Sequence, residues 1–247
     1  MFIPIVTPTY WRYEKYCDVA LALMDSMWPG HPRVWFIADG QGIKYDNKIC
    51  IDSTGWTVRL KKGLERLKEL YPEIEYLYLI IEDLYPLWPC SVKQILEIQK
   101  LVLNNKMNYV SFPTYDWGGK EAVEIDGITL YKIILKSHPY YSQLQPAIWK
   151  FSHLMETCDY ALKNDIQDCW SFEFIAISDD HYVARYHWPS IRSGFLICDG
   201  VNWRAIGKIK SKEGARLRQM LIRNYLSECF FRLQRKTKNV LLNLTGK

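Results

Sequence analysis

The sequence predicts an α/β fold in which helices flank a mostly parallel sheet. Up to residue 112, short apolar segments of strand length alternate with segments whose apolar residues recur every three or four positions. Residues 77–81 are continuously apolar and lie between Pro72 and Pro86, which favours a buried strand over a core helix. With 247 residues and 49% hydrophobic content, the chain is long enough for one large α/β domain, or for a domain plus an appendage.

The first 112 residues are predicted to follow the order β-α-β-β-α-β-α-β, which implies a sheet wrapped by helices. The predicted strands are residues 2–7, 33–38, 48–51, 77–81 and 109–112. Apolar residues at helical spacing predict helices from about Tyr13 to Met24 and from Trp56 to Leu70. Ser91 forms a capping-box pattern with Gln94 that predicts the start of a third helix.

Beyond residue 112 the pattern changes. Segments 128–135 and 141–149 predict two paired, partly exposed strands on either side of Ser137-His-Pro139. One further helix is predicted to begin at Ser152 and another near Trp170.

Charge divides the chain into an acidic body and a basic tail. Residues 204–247 contain twelve Lys or Arg and two Glu, a net of +10, which leaves −5 on residues 1–203. From about Glu213 to Lys238 the apolar residues follow one arc of a helix and most basic residues lie opposite. Such a basic amphipathic helix is suited to an anionic membrane surface. The alternative is an ordinary terminal helix that docks through Leu221, Leu226 and Phe230.

Cysteine usage and missing motifs exclude several protein classes. The seven Cys include no Cys-x-x-Cys pair, so they support neither a disulfide framework nor a zinc cluster and favour a reducing cytosol. No segment of about 18 apolar residues predicts a spanning helix, and no signal peptide is predicted. Dinucleotide-binding, phosphate-loop, serine-hydrolase and zinc-protease motifs are absent, so strand-end side chains must hold any ligand.

Two adjacent carboxylates, Glu82 and Asp83, directly follow the predicted strand 77–81. In open α/β sheets ligands bind at the carboxyl ends of the strands. Oxygen ligands at that edge suit a divalent cation, Mn²⁺ or Mg²⁺, held against phosphates. The alternative is that one carboxylate caps the helix after Ser91 or pairs with a nearby lysine.

Several segments resemble a known enzyme family in content and in order. They are Ile3-Pro-Ile-Val-Thr-Pro-Thr9, Trp35-Phe-Ile-Ala-Asp39, Gly55-Trp56 with Arg59-Leu60, Tyr78-Leu-Ile-Ile-Glu-Asp83, Ser142-Gln-Leu-Gln-Pro-Ala-Ile-Trp149 and Trp170-Ser-Phe-Glu173. Over residues 3–175 the chain resembles small bacterial glycosyltransferases of the Rossmann-like GT-A fold, which use nucleotide sugars to assemble surface polysaccharides such as lipopolysaccharide. Typical members carry Asp-x-Asp at the metal motif, whereas this chain has Glu82-Asp83-Leu84.

The resemblance implies a nucleotide-sugar donor site over the ends of the first strands. Thr7 and Thr9 would bond the base or ribose, and Asp39 would accept from a ring N–H or a hydroxyl. Arg12 and Arg59 would approach the diphosphate. Each residue also has an ordinary structural explanation, because Asp39-Gly40 suits a turn and Thr9 suits a helix cap.

A divalent cation is the implied cofactor, because negative charge builds up on the diphosphate as the glycosidic bond breaks. Asp83, with Glu82, would hold the cation. A late histidine can complete such a shell, and His181 and His187 are both available; His187 is the candidate ligand.

Inverting transfer needs a carboxylate to take the proton of the acceptor hydroxyl, and Glu173 is the predicted base. It is expected near the start of a helix, where the helix dipole would keep it ionised. Asp168 is the second candidate, and a retaining mechanism stays open.

The acceptor is predicted to be a glycan or a lipid-linked sugar. Gln143, Gln145 and Trp149 would line the acceptor pocket, because alternate residues of one strand share a face. The indole of Trp170 would stack on the acceptor sugar.

The predicted organisation is a nucleotide-sugar and acceptor-binding catalytic domain over residues 1–203 and a basic helical tail over 204–247. The predicted location is the cytoplasm, with peripheral attachment to the inner face of the cell membrane if the tail binds lipid.

Two alternative functions remain at the level of sequence. One is a nucleotidyl- or phosphotransferase of sugar-nucleotide metabolism, although the usual Gly-rich first loop is replaced by Thr7-Pro-Thr-Tyr10. The other is a non-catalytic membrane- or nucleic-acid-binding module. Nucleic acid is disfavoured as a partner, because aromatics are not interleaved with the basic residues of the tail.

Overall fold

The structure is a computed structural model that describes residues 2–10, 17–39, 46–53, 55–81, 84–114, 120–134 and 141–190, together with Ala215 and Gln219. The chain divides into two units, Met1–Ser193 and Gly194–Lys247. The predicted C-terminal basic helix lies almost entirely outside the described residues. Within the described ranges, no helix combines the length and the apolar character needed to cross a membrane.

The α/β class is confirmed, and the described strands form one sheet in the order β3-β2-β1-β4-β8-β5-β9-β7-β6. The strands are β1 (Ile5–Pro8), β2 (Val34–Ala38), β3 (Lys48–Cys50), β4 (Tyr76–Leu79), β5 (Tyr109–Ser111), β6 (Lys120–Ile125), β7 (Ile128–Ile133), β8 (Ala147–Lys150) and β9 (His181–Ala184). The helices are α1 (Cys17–Met27), α2 (Trp56–Leu70), α3 (Val92–Asn104), α4 (Phe151–Lys163) and α5 (Cys169–Phe172).

The amino-terminal half of the sheet is parallel, as predicted. β1 pairs with β2 and with β4, and β2 pairs with β3, all in parallel. Each of these strands is short and apolar, and β1, β2 and β4 are buried along their whole length. Because these strands run in the same direction, the carboxyl ends of β1 to β4 lie at the same edge of the sheet. We call this the ligand edge.

The remainder of the sheet is mixed. β8 runs antiparallel to β4 on one side and to β5 on the other, while β9 runs parallel to β5. β7 pairs antiparallel with β6 and with β9. The prediction that residues 128–135 pair with 141–149 is therefore wrong. The sequence did not predict β6 or β9, and β8 begins at Ala147 rather than at Tyr141.

One hydrophobic core lies on the sheet face that is covered by α2 and α4. Its members include strand residues from β1, β2, β4, β5 and β8, and helix residues such as Leu64 and Leu154. On the opposite face, Tyr78 packs its ring against Trp28, with the centroids 5.3 Å apart, and donates its hydroxyl to Gln99 of α3 at 2.7 Å. Both faces are covered, so the apolar segments of the central strands are continuous, as buried parallel strands require.

Two helix starts differ from their predictions. Ser91 is the N-cap residue of α3, but its side chain makes no capping hydrogen bond among the described residues. α4 begins at Phe151 with Lys150 as its N-cap, one residue before the predicted Ser152. α5 does begin next to Trp170, but it is a single turn.

Candidate functional site

The ligand edge brings together the ends of several described strands. Thr9 follows β1 and Asp39 follows β2. The register of β8 against β4 pairs Ala147 with Leu79, so Gln145 at the entry to β8 lies at the edge where β4 ends. The side-chain oxygen of Gln145 accepts from the backbone N–H of Thr114, just after β5, at 2.6 Å. Side chains from four strands are thus gathered along one edge.

Asp39 and Arg59 form a buried ion pair at this edge. The Arg59 guanidinium donates to Asp39 at 3.0 Å and to the carbonyl of Ser53 at 3.4 Å. Only 5% of the Arg59 side chain and 12% of the Asp39 side chain are exposed. Arg59 therefore orients the Asp39 carboxylate, and its approach to a diphosphate stays a prediction.

The two threonines predicted to contact the nucleoside have different environments. Thr7 is fully buried, and its hydroxyl oxygen accepts from the hydroxyl of Tyr85 at 3.0 Å. The backbone N–H of Thr9 donates to Ile37 at 2.8 Å, which fixes the chain, but its hydroxyl has no hydrogen-bond partner among the described residues. Thr9 is therefore the one of the two that retains an unused polar group at the ligand edge.

Glu82, Asp83 and Arg12 lie outside the described residues, but the segments that flank the acidic pair are fixed. The indole of Trp188 donates to the carbonyl of Leu84 at 2.8 Å, and the backbone N–H of Leu87 donates to Pro189 at 2.8 Å. His187 is exposed and directly precedes Trp188. The chain after β9 is thus tied to the chain at Leu84 and Leu87. In the described ranges, no three His, Cys, Asp or Glu side chains form a metal-binding cluster.

His181, the other late histidine, is not placed as a metal ligand. It is fully buried, and its Nε2 atom lies 2.7 Å from Nε2 of His153. The sequence singled out His181 only as a late histidine and did not identify His153, because their approach depends on the pairing of β9 with β5.

Gln143 and Gln145 lie in the irregular segment before β8 rather than within a strand. Both are buried, and each keeps one side-chain polar atom without a partner among the described residues: Oε1 of Gln143 and Nε2 of Gln145. An unpaired buried amide group costs about 1–3 kcal/mol. A bound polar ligand would relieve that cost.

Glu173 is held against the same segment. Its carboxylate accepts from the backbone N–H of Leu144 at 2.9 Å, and its own carbonyl accepts from the N–H of Ser142 at 3.0 Å. Burial raises the pKa of Glu173 to about 7, although the Leu144 hydrogen bond lowers it. The expected helix-dipole effect is wrong, because Glu173 is the C-cap of α5 and so lies at the carboxyl end of the helix.

Asp168 has the opposite environment. It is the N-cap of α5, and its exposed side chain accepts from the N–H of Ser171 at 2.8 Å. This hydrogen bond lowers the pKa of Asp168. A carboxylate held ionised in this way is a poor proton acceptor near neutral pH, so the geometry favours Glu173 over Asp168 as a base.

The aromatic residues predicted to contact an acceptor are placed differently from one another. Trp170 is 51% exposed and Phe174 is 54% exposed, so two aromatic side chains lie at the surface on either side of Glu173 in the chain. Trp149 has no exposed surface and packs against Tyr109, with the ring centroids 4.5 Å apart. Trp149 therefore lies within the core and offers no exposed surface to an acceptor.

α2 connects the Asp39–Arg59 pair to the segment that carries Glu173. The first N–H groups of α2, from Trp56 and Thr57, donate to the carbonyl of Gln167 at 2.8 and 3.4 Å. The Trp56 ring packs edge-on against Phe172, with the centroids 5.2 Å apart. One helix end thereby fixes both halves of the site.

Comparison with solved structures finds a distant likeness to crystal structures of the galactosyltransferase LgtC. One is a structure of an active-site mutant, and another is a complex with donor and acceptor sugar analogs; each is 11% identical to this chain, with a TM-score of 0.40. The alignments cover 70% of this chain and 68% or 69% of the LgtC chain. No family model matches the sequence. No curated protein matches it either.

Proposed function

We propose that this protein is a glycosyltransferase that moves a sugar from a nucleotide-sugar donor to a glycan or lipid-linked acceptor, with inversion at the anomeric carbon. The observation that carries the proposal is the carboxylate of Glu173, which lies against the segment entering β8, partly buried, with its pKa raised to about 7. Exposed aromatic side chains at Trp170 and Phe174 accompany it. Aromatic faces beside a carboxylate of this kind suit a sugar hydroxyl as the reacting group.

Glu173 would act as the general base. The acceptor hydroxyl attacks the anomeric carbon as the bond to the nucleotide diphosphate breaks, and Glu173 takes the hydroxyl proton. A base whose pKa lies near the working pH combines a useful ionised fraction with a useful affinity for the proton. The backbone N–H of Leu144 holds one carboxylate oxygen, which leaves the other oxygen to face the acceptor.

The donor would lie over the ends of β1 and β2. Thr9 provides a hydroxyl that no described residue uses, and Asp39 provides a carboxylate oriented by Arg59. Arg12 remains the proposed cation for the diphosphate. A buried carboxylate at the end of the second strand is suited to ribose hydroxyls or to a ring N–H.

Glu82, Asp83 and His187 would hold a divalent cation, Mn²⁺ or Mg²⁺. Carboxylate oxygens and an imidazole nitrogen form a donor set that Mn²⁺ accepts, and the Trp188 bond to Leu84 supports their proximity. When bound, the cation would neutralise charge on the leaving diphosphate.

The acceptor would lie along Gln143, Gln145 and Trp170. Sugar hydroxyls both donate and accept, so they match the unpaired oxygen of Gln143 and the unpaired nitrogen of Gln145. The tail, residues 204–247, would bring this catalytic domain to an anionic membrane surface, where lipid-linked acceptors are found.

The first test is substitution of Glu173. We expect Glu173→Gln to lower turnover of a nucleotide sugar by about 10²-fold or more, because it removes the proton acceptor. Asp168→Asn is the matched control, since Asn caps helices as well as Asp does and only the charge is lost. In the wild type, kcat/KM should rise through about pH 7 as Glu173 loses its proton.

Nucleotide binding separates the base from the donor site. Thermal shifts with uridine, guanosine and cytidine diphosphates, with and without Mn²⁺, should show one preferred nucleotide and equal stabilisation of the wild type and Glu173→Gln. A Gln variant that keeps turnover within about threefold of the wild type would remove Glu173 as the base.

A further inference from the structure

A buried pair of histidines lies beside the proposed site, between α4 and β9. Nε2 of His153 is 2.7 Å from Nε2 of His181, and both residues are at most 3% exposed. Nδ1 of His181 is 3.1 Å from the carbonyl of Tyr141. Nδ1 of His153 is 3.9 Å from the exposed carboxylate of Glu156.

The partners of the pair assign its protons. A carbonyl only accepts, so Nδ1 of His181 carries a hydrogen and donates to Tyr141. Burial lowers the pKa of His181 to about 3, so the ring is neutral and its Nε2 is an acceptor. His153 must then donate from its Nε2 to His181. The Tyr141 carbonyl therefore fixes the tautomer of His181, and His153 is held in the tautomer that donates from Nε2.

Aromatic packing fixes the orientation of His181 as well. Its ring stacks between Tyr109 and Tyr141, with centroid distances of 4.5 and 4.7 Å and interplanar angles of 29° and 21°. The ring of Trp149 packs edge-on at 5.8 Å. With three aromatic neighbours and two hydrogen bonds, His181 has one available position in the core.

The peptide unit that contains the Tyr141 carbonyl also contacts Glu173. The same peptide unit contains the N–H of Ser142, which donates to the carbonyl of Glu173 at 3.0 Å. Two residues later, the N–H of Leu144 donates to the Glu173 carboxylate at 2.9 Å. Segment 141–146 is irregular and has no strand ladder of its own, so individual hydrogen bonds hold it. Besides those named, the Ser142 hydroxyl donates to the carbonyl of Ile175 at 2.5 Å, and the Tyr109 hydroxyl donates to the carbonyl of Gln143 at 2.9 Å.

We propose that His181 is a positioning residue: oriented by the hydrogen bond from His153, it donates to the Tyr141 carbonyl, anchors the 141–142 peptide and so holds the Leu144 N–H on the carboxylate of Glu173. The proposal rests on the proposed role of Glu173 as the base. Residues that orient a reacting group through a hydrogen-bonded peptide act on geometry, and a displacement of about 1 Å in such a site can lower the rate about 10²-fold.

The test compares His181→Phe with His181→Asn. Phe keeps the stacking between the two tyrosines but loses both hydrogen bonds, whereas Asn offers a donor close to the position of Nδ1. Cys158→Ala is the control for general destabilisation, because Cys158 is buried on α4, the helix of His153, and lies outside the path to Glu173. Carboxyl titration of Glu173 by ¹³C NMR, assigned with Glu173→Gln, gives a readout that does not need turnover.

We expect His181→Phe to raise the pKa of Glu173 by at least about 0.5, because the Leu144 hydrogen bond that lowers it is weakened. With nucleotide sugar, kcat should fall about tenfold or more while nucleotide affinity is unchanged. His181→Asn should restore both values to near those of the wild type. Cys158→Ala should leave the titration unchanged.

Equal Glu173 titrations in the wild type and His181→Phe would overturn the positioning role, whatever the activity. An Asn variant as impaired as Phe would also overturn it, since no rescue by the donor would have occurred. If His181→Phe does not fold, the same comparison is made with His153→Leu and His153→Gln, of which only Gln retains a donor. Failure of the base assignment is recognised separately, by full turnover in Glu173→Gln.

Discussion

Glu173 and Asp168 are five positions apart, and the fold treats them in opposite ways. Asp168 receives the Ser171 N–H at an exposed helix start, which lowers its pKa. Glu173 is partly buried at the other end of the same turn, and burial raises its pKa to about 7. Two carboxylates whose pKa values are pushed apart can be assigned different roles from their environments alone.

The raised pKa of Glu173 implies a stability difference that depends on pH. Folding favours its protonated form, so the folded state binds more protons than the unfolded state between the ordinary value of 4.5 and about 7. The stability that the protonated form contributes is therefore lost as pH rises through about 7. We expect Glu173→Gln to be more stable than the wild type at pH 8 by roughly 1–3 kcal/mol, and equally stable below pH 4.5.

Denaturant unfolding of both proteins at a series of pH values measures this difference. The curves should separate as pH rises. A gap that is constant across pH would mean that Glu173 titrates as it does in the unfolded chain.

Prediction from sequence succeeds or fails at single residues for physical reasons. The sequence favours Glu173 as the base because it follows Trp170 near an expected helix start, but its pKa depends on burial against Leu144, which local sequence does not report. Asp39 and Arg59 are each recognisable, yet their pairing is not, since it joins a strand end to a helix twenty positions away. The sequence around His153 does not indicate that it contacts another histidine, because His181 is brought next to it only by the pairing of β9 with β5.

At the scale of elements, α2 organises the site through its close approach to β2. An added Cβ at Gly63 would lie 2.6 and 2.8 Å from Cδ1 and Cγ1 of Ile37. Arg59 lies one helical turn before Gly63, and Asp39 lies two residues after Ile37. The absence of a side chain at Gly63 therefore lets the helix approach the strand closely enough for the ion pair to form.

Gly63→Ala tests this close approach. In an exposed helix the substitution would stabilise by about 1 kcal/mol, but here we expect destabilisation by about 1–3 kcal/mol because the methyl group overlaps Ile37. Thermal or denaturant unfolding gives the sign. Lys62→Ala, at the exposed neighbouring position, should change stability by less than about 0.5 kcal/mol. If Gly63→Ala stabilised the protein, α2 would not need to approach β2 this closely, and the prediction would be contradicted.

The elements that the sequence predicts correctly are those with a strong local pattern. β1 to β5 and the helices between them have continuous apolar or helical patterns, so their order could be predicted. β6, with the sequence Lys-Glu-Ala-Val-Glu-Ile, is an edge strand in which no residue is buried, and so it has a weak apolar signal. β8 is shorter than predicted because residues 141–146 are buried like strand residues but lie in an irregular segment.

The whole molecule combines an acidic body with a basic tail, and this division predicts membrane behaviour. Replacing Arg216, Arg223, Arg235 and Lys238 by Gln should weaken binding to vesicles that contain phosphatidylserine, because each basic residue near an anionic surface contributes about 1 kcal/mol. Neutral vesicles should bind weakly in every case. Cosedimentation at several salt concentrations measures the effect.

The matched control replaces four exposed basic residues of the body by Gln: Lys62, Arg66, Lys93 and Lys100. This variant has the same net charge as the tail variant and should bind as the wild type does. Equal weakening in the two variants would mean that overall charge, and not the tail, governs attraction to the vesicle.

The position of β8 has a consequence for synthesis. β8 fills the space between β4 and β5, although both of those strands, and also β6 and β7, are translated before it. Until residue 150 has left the ribosome, β4 and β5 each expose the edge that β8 covers in the folded protein. Such edges pair readily with other chains. We therefore expect the nascent protein to depend on chaperones between the synthesis of β5 and the synthesis of β8.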